Sequence, residues 1–576
     1  MFQTFEERAD PQAARQRLPL LRQHLAGADC GGFILPRTDA HQSEYLADHD
    51  QRLAWLTGFT GSAGTTIVLA DKAAIFVDGR YTVQVARQAD GDLFDIVNIA
   101  DQSPADWMAE NAGDGTRLGY DPWLHTPDGL ERLEKAAVKA GAVLVPLNAN
   151  PVDAVWADQP GPPSAAIVPH PLEFSGEATD AKLARVREAL AGDGAEALVL
   201  NLSDSIAWLF NIRGADIAHT PVALAFALIT PDEARLFCDP AKISAETAAW
   251  LAPAVTTAPA ADFAAALDRL GAQSSTVQID PASTPVWITA RLDEAGVETR
   301  PAPDPCIAMK AVKNEAEIAG ARAAHLRDGI ALARFLGWLD AEAPSAGIDE
   351  IACVRRLEEL RAQSNMLCDV SFETIAGSGP NGAIVHYRVS EQSNRKLETG
   401  SLFLVDSGAQ YRDGTTDVTR TVAIGAPSDE MRRLFTLVLK GHIAIATARF
   451  PPKTTGAQLD ALARIALWRA GHDYDHGTGH GVGSYLGVHE GPQGISKRAT
   501  TALEPGMILS NEPGIYIEGA FGIRIENLLL VREADEIENG SRPMLGFETL
   551  TLAPIDLRLV DVGLLAPAER EWLNAY

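Results

Sequence analysis

Basic residues are scarce in this 576-residue chain: 49 Lys and Arg stand against 77 Asp and Glu, a formal net charge of -28. A field of that sign repels phosphate backbones and anionic membrane surfaces, so neither nucleic acid nor a membrane is expected as a partner. The acidity is spread along the chain instead of gathered in a tail, which is the pattern of a solvated surface. Cysteine is sparse as well. Its five copies, Cys30, Cys238, Cys306, Cys353 and Cys368, are odd in number and show no CxxC spacing. That argues against a disulfide framework or a thiolate zinc site and predicts a reducing, cytoplasmic setting. Long apolar runs are missing too: the longest, near 222–229, falls far short of the roughly 20 residues a membrane helix needs. No basic stretch followed by an apolar run opens the chain, so no secretory signal is expected.

What is present is the balance of a soluble enzyme, with 46% hydrophobic and 22% charged residues. The length exceeds one ordinary core and predicts three or four domains. Strand-like runs at 31–35, 65–69, 73–77 and 143–146, with a helix over 126–140, read as an α/β pattern ending near 150. Asp158-Gln-Pro-Gly-Pro-Pro-Ser is the clearest linker. After it the plan repeats, with a helix over 180–191 and apolar runs at 197–202, 206–210 and 221–229. The repeated order predicts two similar α/β domains in series. A second boundary falls at Arg300-Pro-Ala-Pro-Asp-Pro, which gives domains at 1–157, 158–305 and 306–576.

The last third reads as mixed α+β. Asn314 with Glu317 resembles a capping box opening a long helix, on which Leu326, Ile330, Ala333 and Leu336 keep the spacing of a buried stripe. A further helix over 431–450, carrying Leu434, Phe435, Val438, Leu439 and Ile443, is expected to stop at Pro451-Pro452. Strands are expected at 401–405, 418–424, 508–509 and 523–531.

Polar residues stand out on those strands. Asp406 closes an apolar run; Asp417 opens the next strand after the turn signal Asp413-Gly414. A hairpin there brings the two carboxylates onto neighbouring strands. His480 sits among glycines that let backbone approach a ligand, Glu512 lies in Asn-Glu-Pro-Gly, and Glu526 is placed inside an otherwise apolar strand. Four carboxylates and one imidazole without a thiol suit hard or borderline divalent ions, and they could hold two of them. Singly, each signal is weak. A lone Asp at a strand end is usually a turn or cap residue, and a lone Glu such as Glu526 more often faces solvent or pairs with an arginine, here Arg524. His386, His476, His480 and His489 lie in glycine-rich or strand-end contexts, and each alone is more often structural than catalytic.

The blocks Leu404-Val-Asp-Ser-Gly, Thr415-Thr-Asp-Val-Thr-Arg-Thr, Gly477-Thr-Gly-His-Gly-Val-Gly, Asn511-Glu-Pro-Gly and Gly522-Ile-Arg-Ile-Glu-Asn occur in this order. Together they resemble the metal centre of the pita-bread metallopeptidases, which include methionine aminopeptidase, prolidase and aminopeptidase P. Upstream, Gly58-Phe-Thr-Gly-Ser-Ala-Gly-Thr, Asp78-Gly-Arg-Tyr and Ile206-Ala-Trp-Leu-Phe-Asn-Ile-Arg-Gly resemble blocks of the long, three-domain Xaa-Pro aminopeptidases. The resemblance covers nearly the whole chain. It implies two creatinase-like α/β domains followed by a pita-bread catalytic domain.

It further implies metal ligands Asp406, Asp417, His480, Glu512 and Glu526, with two divalent ions per chain, Mn²⁺ first and Co²⁺ or Zn²⁺ as alternatives. His386, His489 and Glu512 would be catalytic, Glu512 as proton shuttle for a water shared by the ions. Arg80, His386, His476, His489, Tyr516 and Arg524 would bind substrate. The implied activity is removal of the residue before an N-terminal Xaa-Pro bond, by a homodimer. A prolidase cutting only Xaa-Pro dipeptides and a metal-free peptide- or histone-binding module are the alternatives on the same fold.

Overall fold

The computed structural model describes residues 2–273 and 275–576. The chain divides into two compact units: one holds 8–172 and 177–306, the other 307–576 with 1–7 and 173–176. Among the described residues, no helix is long and apolar enough to cross a membrane.

The first unit contains two six-stranded sheets. In one, Gly32–Pro36 runs antiparallel to Thr65–Leu69 and parallel to Arg117–Tyr120. Ala73–Val77 and Asp95–Asn98 extend it on one side and Val143–Pro146 on the other. In the other sheet, Ala197–Leu200 runs antiparallel to Phe226–Ile229 and parallel to Thr276–Ile279. Its outer strands, Ala234–Cys238, Thr256–Pro259 and Glu298–Pro301, repeat the same order and directions. The two sheets therefore share one topology, the repetition expected from element order. The run at 206–210 belongs to the helix Ser203–Leu209. Trp123 stacks on Trp287 at 4.1 Å, and Phe226 stacks on Phe263 at 4.6 Å; this aromatic cluster joins the layers of the unit.

The second unit opens with the helix Glu315–Ala346, whose N-terminus carries the expected capping box of Asn314 and Glu317. Its buried face is not the expected one. Leu326 and Ile330 are 56% and 53% exposed, while His325, Asp328, Leu332, Phe335 and Leu339 are buried. The apolar spacing misled because the inward stripe includes two polar residues. The helix Asp429–Ala446 buries the expected Leu434, Phe435, Val438, Leu439 and Ile443, but it ends before residue 450. Phe450 and Leu545 exchange backbone hydrogen bonds at 3.0 and 2.7 Å, which takes Phe450 out of helical geometry.

Three antiparallel strands, Ile375–Ser378, Ser401–Ser407 and Val418–Ile424, form one sheet of this unit. Another sheet has five strands: Glu490–Ile495, Gly479–Gly481, Ile508–Asn511, Asn527–Glu533 and Leu545–Thr549. The expected single strand over 523–531 is two, Phe521–Arg524 and Asn527–Glu533. The chain leaves one sheet between them, where Ile525 N donates to Pro513 O and Glu526 N donates to Thr419 O at 3.1 Å.

Candidate metal centre

That break is what presents Glu526. A glutamate inside a continuous strand would alternate toward one sheet face; at the break it turns toward Asp417 and His480. Donor atoms of Asp417, His480 and Glu526 all lie within 4.8 Å of one another. Asp406 stands opposite Thr419 in the strand register, so the two aspartates flank neighbouring strands as expected. His480 Nε2 is 3.4 Å from Asp417 Oδ2 and 3.6 Å from Glu512 Oε1. Its Nδ1 lies 2.9 Å from Gly481 O, and donation there holds a proton on Nδ1, so Nε2, the nitrogen facing the carboxylates, is the one that could ligate an ion.

The supporting bonds are specific. Ser510 Oγ accepts from His480 N at 2.9 Å and donates to Glu512 Oε1 at 3.1 Å. Thr419 Oγ1 donates to Glu526 Oε2 at 2.7 Å and accepts from Arg524 Nε at 3.0 Å. Arg524 Nη2 donates to Asp406 Oδ2 at 2.6 Å, so this arginine pairs with Asp406 and not with Glu526. The other oxygen, Asp406 Oδ1, is buried and meets no hydrogen-bond donor among the described residues.

Electrostatics indicate what the cluster suits. Burial, opposed by Arg524 and aided by Asp417, pushes the Asp406 carboxyl up to about 7. Burial and its acidic neighbours raise Glu526 well above the usual range, and Glu512 is raised too. Burial alone would lower His480, but Asp417 and Glu512 prevail and push it up to about 9. Carboxylates crowded in this way are held at a cost that dications would relieve. An oxygen-rich donor set with one imidazole, and a buried carboxylate oxygen without a donor, fit two divalent ions.

Of the residues expected to meet substrate, His489, His476, Tyr516 and Arg524 lie beside the cluster. The His489 ring lies 4.3 Å from that of His480, at 72° to it. His476 Nε2 is 2.8 Å from the Tyr516 hydroxyl, which accepts from Arg524 Nη1 at 2.6 Å, and His476 Nδ1 is 3.9 Å from Glu512 Oε2. His386 follows the turn Gly379–Ala383, which packs so closely on Phe521–Arg524 that a Cβ on Gly522 would fall 1.8 Å from Gly382 O. Arg80 belongs to the other unit, where its guanidinium donates to both oxygens of Asp78 at 2.9 and 2.7 Å.

Sequence reasoning missed Thr419, Ser510 and His442. His442 Nδ1 lies 3.1 Å from Asn511 O, and Asn527 Nδ2 donates to its Nε2 at 3.1 Å. It therefore ties together the neighbours of Glu512 and Glu526. Burial, reinforced by Arg420, pushes this imidazole down to about 3, so it stays neutral. For Thr419 and Ser510 the available signal was polar residues recurring beside the candidate ligands in apolar strands; His442 lies on the helix Asp429–Ala446, away from them in sequence.

Comparison with known proteins agrees with this geometry. Residues 319–533 match the model of metallopeptidase family M24, and 543–576 match the C-terminal region of peptidase M24. Residues 17–154 and 158–317 each match a creatinase/prolidase N-terminal domain. The chain is 42% identical to a probable Xaa-Pro aminopeptidase P of Aspergillus fumigatus, over 97% of this chain and 88% of that protein. It is also 42% identical to aminopeptidase P2 of Arabidopsis thaliana, over 96% and 82%. The crystal structure of the X-prolyl aminopeptidase of Caenorhabditis elegans, a cytosolic enzyme with a di-nuclear active site, superposes with a TM-score of 0.93. The match has 36% identity and covers 98% of this chain and 95% of that one. With creatinase-like domains ahead of a pita-bread peptidase domain and relatives alike over most of their length, the chain belongs to the M24 metallopeptidases, among the three-domain Xaa-Pro aminopeptidases.

Proposed function

We propose that the protein removes the first residue from peptides whose second residue is proline, using two divalent ions held by Asp406, Asp417, His480, Glu512 and Glu526. The observation that carries this reading is the convergence of Asp417, His480 and Glu526, with a buried Asp406 oxygen that no donor meets among the described residues. Bound there, the ions supply Lewis acidity that activates water and polarises the scissile carbonyl; Mn²⁺ is the first candidate.

The chain's own groups do the rest. Glu512, at the edge of this donor set, would take a proton from the activated water and pass it to the leaving nitrogen. His489 and His386 donate to the substrate and to the developing oxyanion. Donation from Arg524 to Tyr516, and from Tyr516 to His476, fixes the His476 ring on the proline side. A dedicated pocket is needed because the Xaa-Pro amide has no N–H and its ring fixes φ. In this reading 306–576 carries the chemistry, while 1–157 and 158–305 control access and pairing into a homodimer. Five free cysteines fit a reducing compartment.

The test is kcat/KM for Arg-Pro-Pro, Arg-Ala-Ala and N-acetylated Arg-Pro-Pro, measured in parallel. Alanine leaves the proline pocket partly empty and restores φ freedom, so the alanine peptide should be about 10-fold or more poorer. The acetylated peptide should not be cut, since an aminopeptidase must recognise the free terminal amine. Equal values for the proline and alanine peptides would refute proline specificity. Failure on all tripeptides, with activity on Arg-Pro, would favour a prolidase.

A further inference from the structure

Asp406 and Asp417 stand at the two ends of a chain excursion, 407–416. Its tip is a hairpin in which Gln410 pairs with Thr415 and Tyr411 with Gly414. Its neck is tight. Ser371 N donates to Gly408 O at 3.1 Å, and Ser371 Oγ donates to Thr416 O at 2.9 Å. A Cβ on Gly408 would fall 2.0 Å from both Ser371 Oγ and Thr416 O.

Beneath this neck lies a salt bridge with no direct part in the chemistry above. Arg361, from the helix Glu350–Arg361, donates to both oxygens of Asp328 at 2.7 and 3.0 Å. The two residues are 1% and 2% exposed. A buried pair of this kind is favourable only where its remaining donors and acceptors are also satisfied, and here the neck, with Tyr411 of the hairpin tip, satisfies them. Arg361 donates to Ser407 Oγ at 3.1 Å and to Gly408 O at 3.2 Å. Thr416 Oγ1 donates to Asp328 Oδ2 at 3.0 Å. Ser407 directly follows Asp406, and Thr416 directly precedes Asp417. Each aspartate's neighbour is thus bonded to one half of a single ion pair, and that pair explains why the buried stripe of the helix Glu315–Ala346 is polar at Asp328.

We infer that Asp328 and Arg361 are positioning residues that close the 407–416 neck and so set the separation of Asp406 and Asp417 in the metal centre. The inference rests on the two-metal reading. Ligands must be held to within about 0.5 Å for a site of defined geometry, and groups bonded behind ligands typically change metal affinity about 10–100-fold when removed.

Asp328→Asn leaves Arg361 buried without a counter-charge and endangers the fold, so gentler variants carry the test. Ser407→Ala removes one bond between neck and pair and is the cleaner variant; Thr416→Val removes another, together with the bond that Thr416 Oγ1 accepts from Ala409 N at 3.0 Å. Tyr411→Phe removes a comparable bond, the 3.0 Å donation to Asp328 Oδ1, from the hairpin tip. Metal-depleted proteins are titrated with Mn²⁺, and the visible spectrum of each Co²⁺-loaded protein reports coordination geometry. The expected result is Mn²⁺ binding weakened about 10–100-fold, with a changed Co²⁺ spectrum, in the neck variants. Tyr411→Phe should lower the melting temperature while keeping wild-type metal affinity and spectrum. A change in either neck variant that Tyr411→Phe lacks supports the inference. Wild-type affinity and spectrum in both neck variants, or an equal change in Tyr411→Phe, would overturn it. Wild-type stoichiometry in the same titration tests the two-metal reading separately, and a one-ion centre would still report the pair through that ion's affinity.

Discussion

Asp417→Asn should reduce turnover at saturating Mn²⁺ by more than the roughly 100-fold that loss of a group behind a metal ligand costs. Asp417 is 4% exposed and shares the compact donor set with His480 and Glu526. Asparagine keeps the volume, so packing survives. It removes one negative charge from a site that balances two dications, and an amide oxygen is a poorer ligand than a carboxylate. The metal-free protein should keep its fold, because asparagine retains the shape of the side chain and the attraction to His480 that is lost is set against relief of crowding with Asp406, Glu512 and Glu526. Measurement of kcat beside a thermal melt separates the two effects. Wild-type turnover would show that Asp417 is not a ligand.

His489→Ala should lower kcat by about 10²–10³, the usual cost of losing one donor to a developing oxyanion, while metal content stays at the wild-type value. Its ring stands edge-to-face against that of His480 at 4.3 Å, close to the centre, and the family resemblance assigns it to the substrate and not to the ions. Elemental analysis of the purified variant decides between the two. Loss of metal together with activity would make His489 a ligand and contradict its assignment as a donor to substrate.

Much of this was legible because the proposed ligands sit on short, ordered blocks. Strands 65–69, 73–77, 143–146 and 418–424 were expected within their observed limits, since β-rich runs bounded by glycine, proline or aspartate leave little choice of ends. What was not legible depends on contacts distant in sequence. The helix Glu315–Ala346 was read with the wrong face inward because an apolar stripe assumes apolar partners, whereas Asp328 meets Arg361, which is 33 positions away. Glu526 was placed within a strand because apolar flanks conceal a break that Thr419, from another strand, and Pro513, from the link between two strands, impose. The natural partner for Glu526 was Arg524, two residues away; the fold gives Arg524 to Asp406 and gives Glu526 the hydroxyl of Thr419. The shared topology of the two six-stranded sheets showed only as a repeated order of elements, because burial constrains residue class more than residue identity.

The central claim is the two-ion centre, and titration of metal-depleted protein with Mn²⁺, with activity read at each step, tests it most directly. The account predicts saturation at two ions per chain, with full activity only when both are bound. Saturation at one ion or fewer with full activity would contradict it.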